Sequence, residues 1–231
     1  SIGVPLFEAY GMTENCAYAT SNSPENIKIG TVGIPAHGVE LKLADDGEIL
    51  IRSGGVFKGY FKDEQATNET IDKDGWLYTG DVGIYEGDFV KIVDRKRDII
   101  ITSGGKNVSP SEIENKIKVS PFVKEAIVIG DRRKFLSVLI GIEFDTVSNW
   151  ALRKNIPHTT YRDLSEKQEV KDLIWREISK ANEKTSSLEV REFRMIPKEL
   201  DHEEGELTAT QKVKRNVLVE QFNDLIEEMY S

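Results

Sequence analysis

The run Asp94-Arg95-Lys96-Arg97-Asp98 constrains this chain more than any other feature. Five adjacent ionised side chains between the strand-like stretches 89–93 and 99–101 cannot all be buried, because an unpaired buried charge is strongly unfavourable. The run is therefore an exposed connector between two strands. It also marks a step in charge. Residues 1–94 hold 7 Lys and Arg against 16 Asp and Glu, and residues 95–231 hold 24 of each, so the whole net charge of −9 sits ahead of the connector. Such a step predicts two modules, 1–94 and 95–231. A length of 231 residues allows one or two domains.

Composition narrows the function classes. A mean hydropathy of −0.40 goes with the absence of any apolar run near the roughly 18 residues of a membrane span. The opening Ser1-Ile2-Gly3-Val4-Pro5 lacks the basic and apolar regions of a signal peptide. The negative net charge argues against nucleic acid as the main partner. Cys16 is the one cysteine, which excludes an internal disulfide framework and a multi-cysteine zinc site and makes a reducing, cytosolic setting the simplest expectation. His37, His158 and His202 lack metal-ligand spacing, and no Walker loop, GxGxxG or Ser-His-Asp pattern occurs.

The first module reads as short strands. Val39, Leu41 and Leu43 alternate with polar residues, Asp45-Asp46-Gly47 turns the chain, and Ile49 and Ile51 alternate again, which is a hairpin signature. A second hairpin is expected from 82–85, the turn Glu86-Gly87-Asp88 and 89–93. No helical period longer than two turns precedes about residue 108, and the module has the look of the tail of a larger domain. The second module mixes strands and helices. Ile99–Ile101 reads as a brief buried strand. Ser109-Pro110-Ser111-Glu112 starts a helix with a capping box and proline at its first position. Strands are expected over 123–129, 137–144 and 189–196, and helices over 145–155, 166–184 and 211–230, the last turning Phe222, Leu225, Ile226 and Met229 inward. The fold class is α+β: antiparallel, strand-rich first, then a small lobe of a three- or four-stranded sheet with helices on it.

Four stretches could carry chemistry. Tyr10-Gly11-Met12-Thr13-Glu14 sets a hydroxyl beside a carboxylate, which suits a phosphate–magnesium contact; a plain strand-to-turn segment accounts for it as well. Asp81, after Tyr78-Thr79-Gly80, could grip a ribose diol with two hydrogen bonds, or simply cap a turn. Gly104 and Gly105, between Ser103 and Lys106, let backbone N–H groups approach a ligand, or belong to a solvated loop. Lys212, in Gly205-Glu206-Leu207-Thr208-Ala209-Thr210-Gln211-Lys212, could reach a phosphate or carboxylate as a mobile point charge, or merely begin a basic helix.

Their order is more telling than any one of them. YGMTE at 10–14, GEILIRS at 47–53, GYF at 59–61, DGWLYTGD at 74–81, DRKRDIIITSGGKNVSP at 94–110 and GELTATQKVKR at 205–215 resemble the successive motifs of the adenylate-forming enzymes. SGGKNVSP and GELTATQKVKR, with the long stretch from Trp150 to Ser187, resemble those of the long-chain fatty-acid–CoA ligases. The resemblance covers essentially the whole chain and corresponds to the C-terminal part of such a ligase; the family's Ser/Thr/Gly-rich phosphate loop, which precedes YGMTE, is absent.

The resemblance implies ATP-dependent ligation of a long-chain fatty acid to CoA through an acyl-adenylate, with a carrier-protein thiol as the alternative acceptor, and it implies that this chain alone is inactive. Residues 1–94 would be the end of the large adenylation domain and 95–231 the small mobile domain. Tyr10 would line the adenine pocket, with Gly11 beside it among the cofactor-binding residues. Thr13 would contact the α-phosphate and Glu14 would hold Mg²⁺. Asp81 and Arg95 would bind the ribose. Lys212 would bridge carboxylate and α-phosphate. Gly104, Gly105 and Lys106 would line the pantetheine passage of CoA. Arg97 stands at the hinge position, where aspartate or lysine is common. A fatty substrate also invites peripheral contact with a membrane.

Overall fold

The computed structural model describes residues 3–183, 189–208 and 212–231. The chain divides into two compact units, Ser1–Asp98 and Ile99–Ser231. All five charges of the expected connector therefore belong to the first unit, and its first two, Asp94 and Arg95, extend a strand, with Asp94 buried rather than exposed.

In the first unit, three two-residue strands, β1 (Ala9–Tyr10), β2 (Thr20–Ser21) and β3 (Ile34–Pro35), form a small antiparallel sheet in that order. The larger sheet is an antiparallel meander of β4 (Val39–Leu43), β5 (Glu48–Ser53), β6 (Leu77–Glu86) and β7 (Phe89–Arg95). Both expected hairpins are present, and β6 and β7 reach further than the apolar alternation suggested. A seven-residue helix, α1 (Glu64–Thr70), lies between β5 and β6; Asp63 caps it by accepting the Ala66 N–H. Ala19, Ile49, Ile51, Leu77 and Val90 form the core.

β6 and β7 are not in simple register. Gly83 faces Ile92 but Val82 faces Asp94, so one residue is bulged out of β7 and Asp81 comes to face Arg95.

The second unit opens with a hairpin of β8 (Ile100–Ile101) and β9 (Asn107–Val108). Only Ile100 of that strand is buried; Ile101 is exposed, because a two-residue ribbon has one covered face. α2 (Pro110–Ile117) follows, with Ser109 Oγ accepting the Glu112 N–H and Pro110 in the first turn, where its missing N–H costs nothing. The main sheet has the order β10 (Val123–Ile129), β11 (Leu136–Ile142), β12 (Val190–Met195), with β11 and β12 parallel. The parallel pair needs a crossover, which α3 (Phe144–Arg153), α4 (Tyr161–Glu166) and α5 (Gln168–Glu183) provide.

Every residue of β11 is buried. Alternate residues explain this. Val128, Val138 and Ile140 join α2 and α5 in one core, while Ile127 and Leu139 join the C-terminal helices in another, so the central strand is covered on both faces. The helix expected over 166–184 is α5, with Lys184 outside the described residues; α4, just ahead of it, is a further short helix that the sequence reading did not expect. The single helix expected over 211–230 is α6 (Arg215–Gln221) and α7 (Asn223–Glu228), broken at Phe222; Gln211 lies outside the described residues. Leu218, Phe222, Ile226 and Met229 all reach the sheet, while Leu225 is only half-buried.

Candidate functional site

In the first unit, strand pairing assembles a polar cluster from three separated motifs. Asp81 is buried at 5% exposure on β6. Its Oδ1 lies 2.9 Å from Arg95 Nε, and its Oδ2 accepts a 2.5 Å hydrogen bond from the Tyr10 hydroxyl on β1. Burial, and then the Asp81 hydrogen bond, push the Tyr10 phenol well above its ordinary range, so it stays a neutral donor. Arg95 keeps half of its side chain in solvent and also donates to the Thr79 carbonyl at 3.4 Å. Thr79 Oγ1 donates to the Ile49 carbonyl at 2.7 Å and accepts the Asp81 N–H at 3.1 Å, tying this part of β6 to β5.

Glu48 is a supporting residue that the motif reading missed. It is buried at 4% exposure, and its two oxygens face different ways. Oε1 accepts the Gly80 N–H at 2.9 Å, next to Asp81; Oε2 pairs with Lys96 Nζ at 2.8 Å, next to Arg95. Lys96 also meets Asp46 at 2.6 Å. Asp46 and then Glu48 raise the Lys96 ammonium above its ordinary range. In the sequence Glu48 is only the charged residue ahead of the apolar run Ile49-Leu50-Ile51, and its partner Lys96 lies far along the chain.

The turn after β1 carries Thr13 and Glu14 in one turn of 3₁₀ helix, Thr13–Asn15. Thr13 is exposed. Glu14 Oε1 accepts the Tyr60 hydroxyl at 2.8 Å, a partner the sequence did not point to. Asn15 is buried; its Oδ1 accepts the Met12 N–H at 2.8 Å, whereas its Nδ2 has no partner among the described residues. Gly11 serves the fold here. A Cβ on it would stand 2.3 Å from the Ala17 carbonyl carbon, so the returning chain leaves room for hydrogen only. Arg97 lies in a 3₁₀ turn, Lys96–Asp98, with its side chain 85% exposed and 3.9 Å from Asp98.

The remaining candidates belong to the second unit. Gly104, Gly105 and Lys106 form the β8–β9 turn: the Gly105 N–H donates to the Thr102 carbonyl at 2.9 Å and the Lys106 N–H to Thr102 Oγ1 at 3.2 Å. Gly105 takes a φ of +76°, and a Cβ on Gly104 would meet nothing within 4 Å. Lys212 is exposed on a short antiparallel ladder in which Leu207 pairs with Val213. Tyr10, Asp81 and Arg95 are thus in direct contact, and Thr13 and Glu14 share one turn in the same unit. Among the described residues, no three His, Cys, Asp or Glu side chains gather as a metal cage.

Two family models match the chain: the AMP-binding enzyme C-terminal domain over residues 97–231, and the AMP-binding enzyme over residues 1–61. The chain belongs to the AMP-binding enzyme family. Among curated members of this family, the long-chain-fatty-acid–CoA ligase FadD15 of Mycobacterium bovis is 39% identical over 99% of the chain. The chain spans only 38% of that relative's length. Among solved structures, the adenylation domain of a carboxylate reductase from Mycobacterium chelonae has a TM-score of 0.74 at 23% identity, over 97% of this chain and 34% of that one. The O-succinylbenzoate coenzyme A synthetase of Bacillus subtilis, in complex with ATP and magnesium ion, has a TM-score of 0.64 at 28% identity, over 93% of this chain and 41% of that one. The α+β class, with sheets that are antiparallel apart from the β11–β12 pair, is the fold shared with these solved structures.

Proposed function

We propose that the chain works as part of an ATP-dependent ligase that joins a long-chain fatty acid to CoA through an acyl-adenylate. The observation that carries this reading is the Tyr10–Asp81–Arg95 cluster: a buried carboxylate with one partner on each oxygen, half-open to solvent on the arginine side. A fixed acceptor of this kind suits two adjacent hydroxyls of a ribose, and Arg95 adds a donor for the same sugar. The name of the Mycobacterium bovis relative, a long-chain-fatty-acid–CoA ligase, supports the acyl and thiol substrates.

The donors near Glu14 fit a magnesium ion. One carboxylate and one hydroxyl, both hard oxygens, lie in a single turn, and Glu14 Oε2 takes no protein hydrogen bond among the described residues. Magnesium keeps most of its shell for water and substrate phosphates, so a single carboxylate suffices. The ion would supply charge neutralisation on the phosphates. Thr13 would position the α-phosphate, Tyr10 and Gly11 would flank the adenine, and Tyr60 would fix the Glu14 rotamer. Lys212 would bind the charge that develops between the attacking carboxylate and the α-phosphorus, where placement rather than acid–base chemistry lowers the barrier. Gly104, Gly105 and Lys106 would border the thiol's route in the second half-reaction. Since Lys212 and that turn serve successive steps at one centre, residues 99–231 would act as a mobile lobe turning at Arg97, with Lys96 anchored on the first unit by Glu48 and Asp46.

Among the described residues no helix is long and apolar enough to cross a membrane. The reading includes a cytosolic setting and contact with the membrane surface that supplies fatty acids.

The test is product mass spectrometry on the full-length protein, meaning the chain with all else that its gene encodes, given ATP, Mg²⁺, CoA and carboxylic acids from short to very long. Acyl-CoA together with AMP is the expected result. Accumulation of acyl-adenylate alone would assign the acyl group to a different thiol.

A further inference from the structure

Glu206 is the most deeply buried acidic side chain among the described residues, at 0% exposure. The adenylation reading gives it no part. A carboxylate in such a place is unfavourable unless its charge is matched and its oxygens are used. The charge is matched, and one of the two oxygens accepts a hydrogen bond. Oε2 accepts the Asp201 N–H at 2.8 Å, and Lys198 Nζ stands 2.7 Å from Oε1 as an ion pair, out of line for a hydrogen bond. Lys198, which also pairs with Glu204, stands three residues past the end of β12, just beyond Ile196, whose N–H donates to the Ile140 carbonyl of β11 at 2.8 Å. Through Lys198, Glu206 is fastened to the main sheet.

From Glu206 the ladder runs to Lys212 in two steps. The Glu206 carbonyl accepts the Lys214 N–H at 2.8 Å. The Thr208 N–H donates to the Lys212 carbonyl at 2.8 Å, and the Lys212 N–H donates back to Thr208 Oγ1 at 3.0 Å. Past Lys214, Arg215 donates to the Val128 carbonyl of β10 at 2.8 Å and pairs with Glu114 of α2 at 2.5 Å. The backbone of Lys212 thus hangs between two charged anchors on the same sheet, and Glu206 is the buried one.

We propose that Glu206 is a positioning residue for Lys212, its carboxylate fixing the ladder that presents the lysine for adenylation. The proposal rests on the adenylation reading above. A purely structural Glu206 would affect every activity of the protein alike; a positioning Glu206 affects only the half-reaction that uses Lys212.

The experiment measures two rates in the full-length protein: pyrophosphate release from ATP and fatty acid, and acyl-CoA formation from supplied acyl-adenylate and CoA. Glu206→Ala should slow the first on the order of a hundredfold, as a misplacement of about 1 Å does, and leave the second within about threefold. Glu206→Gln keeps an acceptor for the Asp201 N–H and should recover part of the first rate. Added to Lys212→Ala, Glu206→Ala should cause no further loss. Parallel loss of both rates, or additive loss with Lys212→Ala, overturns the proposal. If Glu206→Ala does not accumulate as folded protein, Glu206→Gln decides alone: selective loss of pyrophosphate release supports the role, and an unchanged ratio of the two rates overturns it. If Lys212→Ala itself spares pyrophosphate release, the adenylation reading fails; if Lys212→Ala abolishes it and both Glu206 variants do not, only the positioning role fails.

Discussion

Asp81 faces Arg95, not Asp94, because β7 carries one extra residue between the Gly83–Ile92 and Val82–Asp94 pairs. Without that bulge two carboxylates would stand directly opposite, an unfavourable cross-strand pair. With it, the buried carboxylate gains a guanidinium at 2.9 Å. On the proposed reading this pair grips the ribose. Asp81→Asn should then weaken AMP binding to the full-length protein by tenfold or more, since hydrogen bonds to a charged group contribute roughly 1.5–3 kcal/mol. Titration calorimetry checks it. An unchanged Kd would remove Asp81 from the nucleotide site.

Glu48 and Lys96 should respond unequally to replacement. Lys96 is 47% exposed and retains Asp46 and water when Glu48 becomes glutamine, so Glu48→Gln should cost only about 1 kcal/mol. Lys96→Met leaves the Glu48 carboxylate buried with only the Gly80 N–H on it, and should cost roughly 2–3 kcal/mol. Urea unfolding of the three chains gives the order. A reversed order would show that the Gly80 contact, not the ion pair, is what keeps Glu48 buried.

The features that alternation and caps encode were legible in the sequence. Val39–Leu43 and Glu48–Ser53 pair as their apolar spacing predicts, and Ser109 and Pro110 start α2. The features that escaped depend on register or on distance along the chain. Nothing local in Phe89–Arg95 reveals a bulge, so the Asp81–Arg95 contact could be expected only from the family resemblance. Glu14–Tyr60 joins residues 46 apart, and Glu48 looks like an ordinary strand start until Lys96 is folded onto it. The α4 helix was missed although Thr160 caps Asp163, because its six polar-rich residues show no apolar period. The break at Phe222 leaves the 3.6-residue spacing of apolar positions almost intact, so periodicity alone reads through it.

The glycines of the motifs separate into two kinds. At Gly11 a methyl group would collide with the Ala17 backbone at 2.3 Å, and Gly11→Ala should lower stability by about 2 kcal/mol or more. At Gly104 a methyl group meets nothing within 4 Å, so Gly104→Ala should change stability by less than about 0.5 kcal/mol. If the Gly104 turn borders the thiol route, that same silent substitution should slow acyl-CoA formation from supplied acyl-adenylate. A variant that is silent in both stability and thioester formation would take Gly104 out of the proposed passage.

Tyr161 gives the second unit a specific response to alkali. Its hydroxyl oxygen accepts the Ile142 N–H at 2.9 Å at the end of β11, and burial pushes the phenol up from 10.0 to about 12. Because the folded form holds its proton more tightly than the unfolded chain, this contribution is fully present below pH 10 and is lost as pH rises from 10 towards 12. At pH 11 the unfolded chain has released most of that proton while the folded chain retains it, a loss of about 1 kcal/mol. Tyr161→Phe should therefore be less stable than the parent at pH 8, by about 1 kcal/mol for the lost acceptor, and should lose less on going to pH 11. Urea unfolding at the two pH values measures this difference of differences. Parallel losses in the two chains would mean that the other buried tyrosines, with Tyr10 foremost, carry the alkaline sensitivity instead.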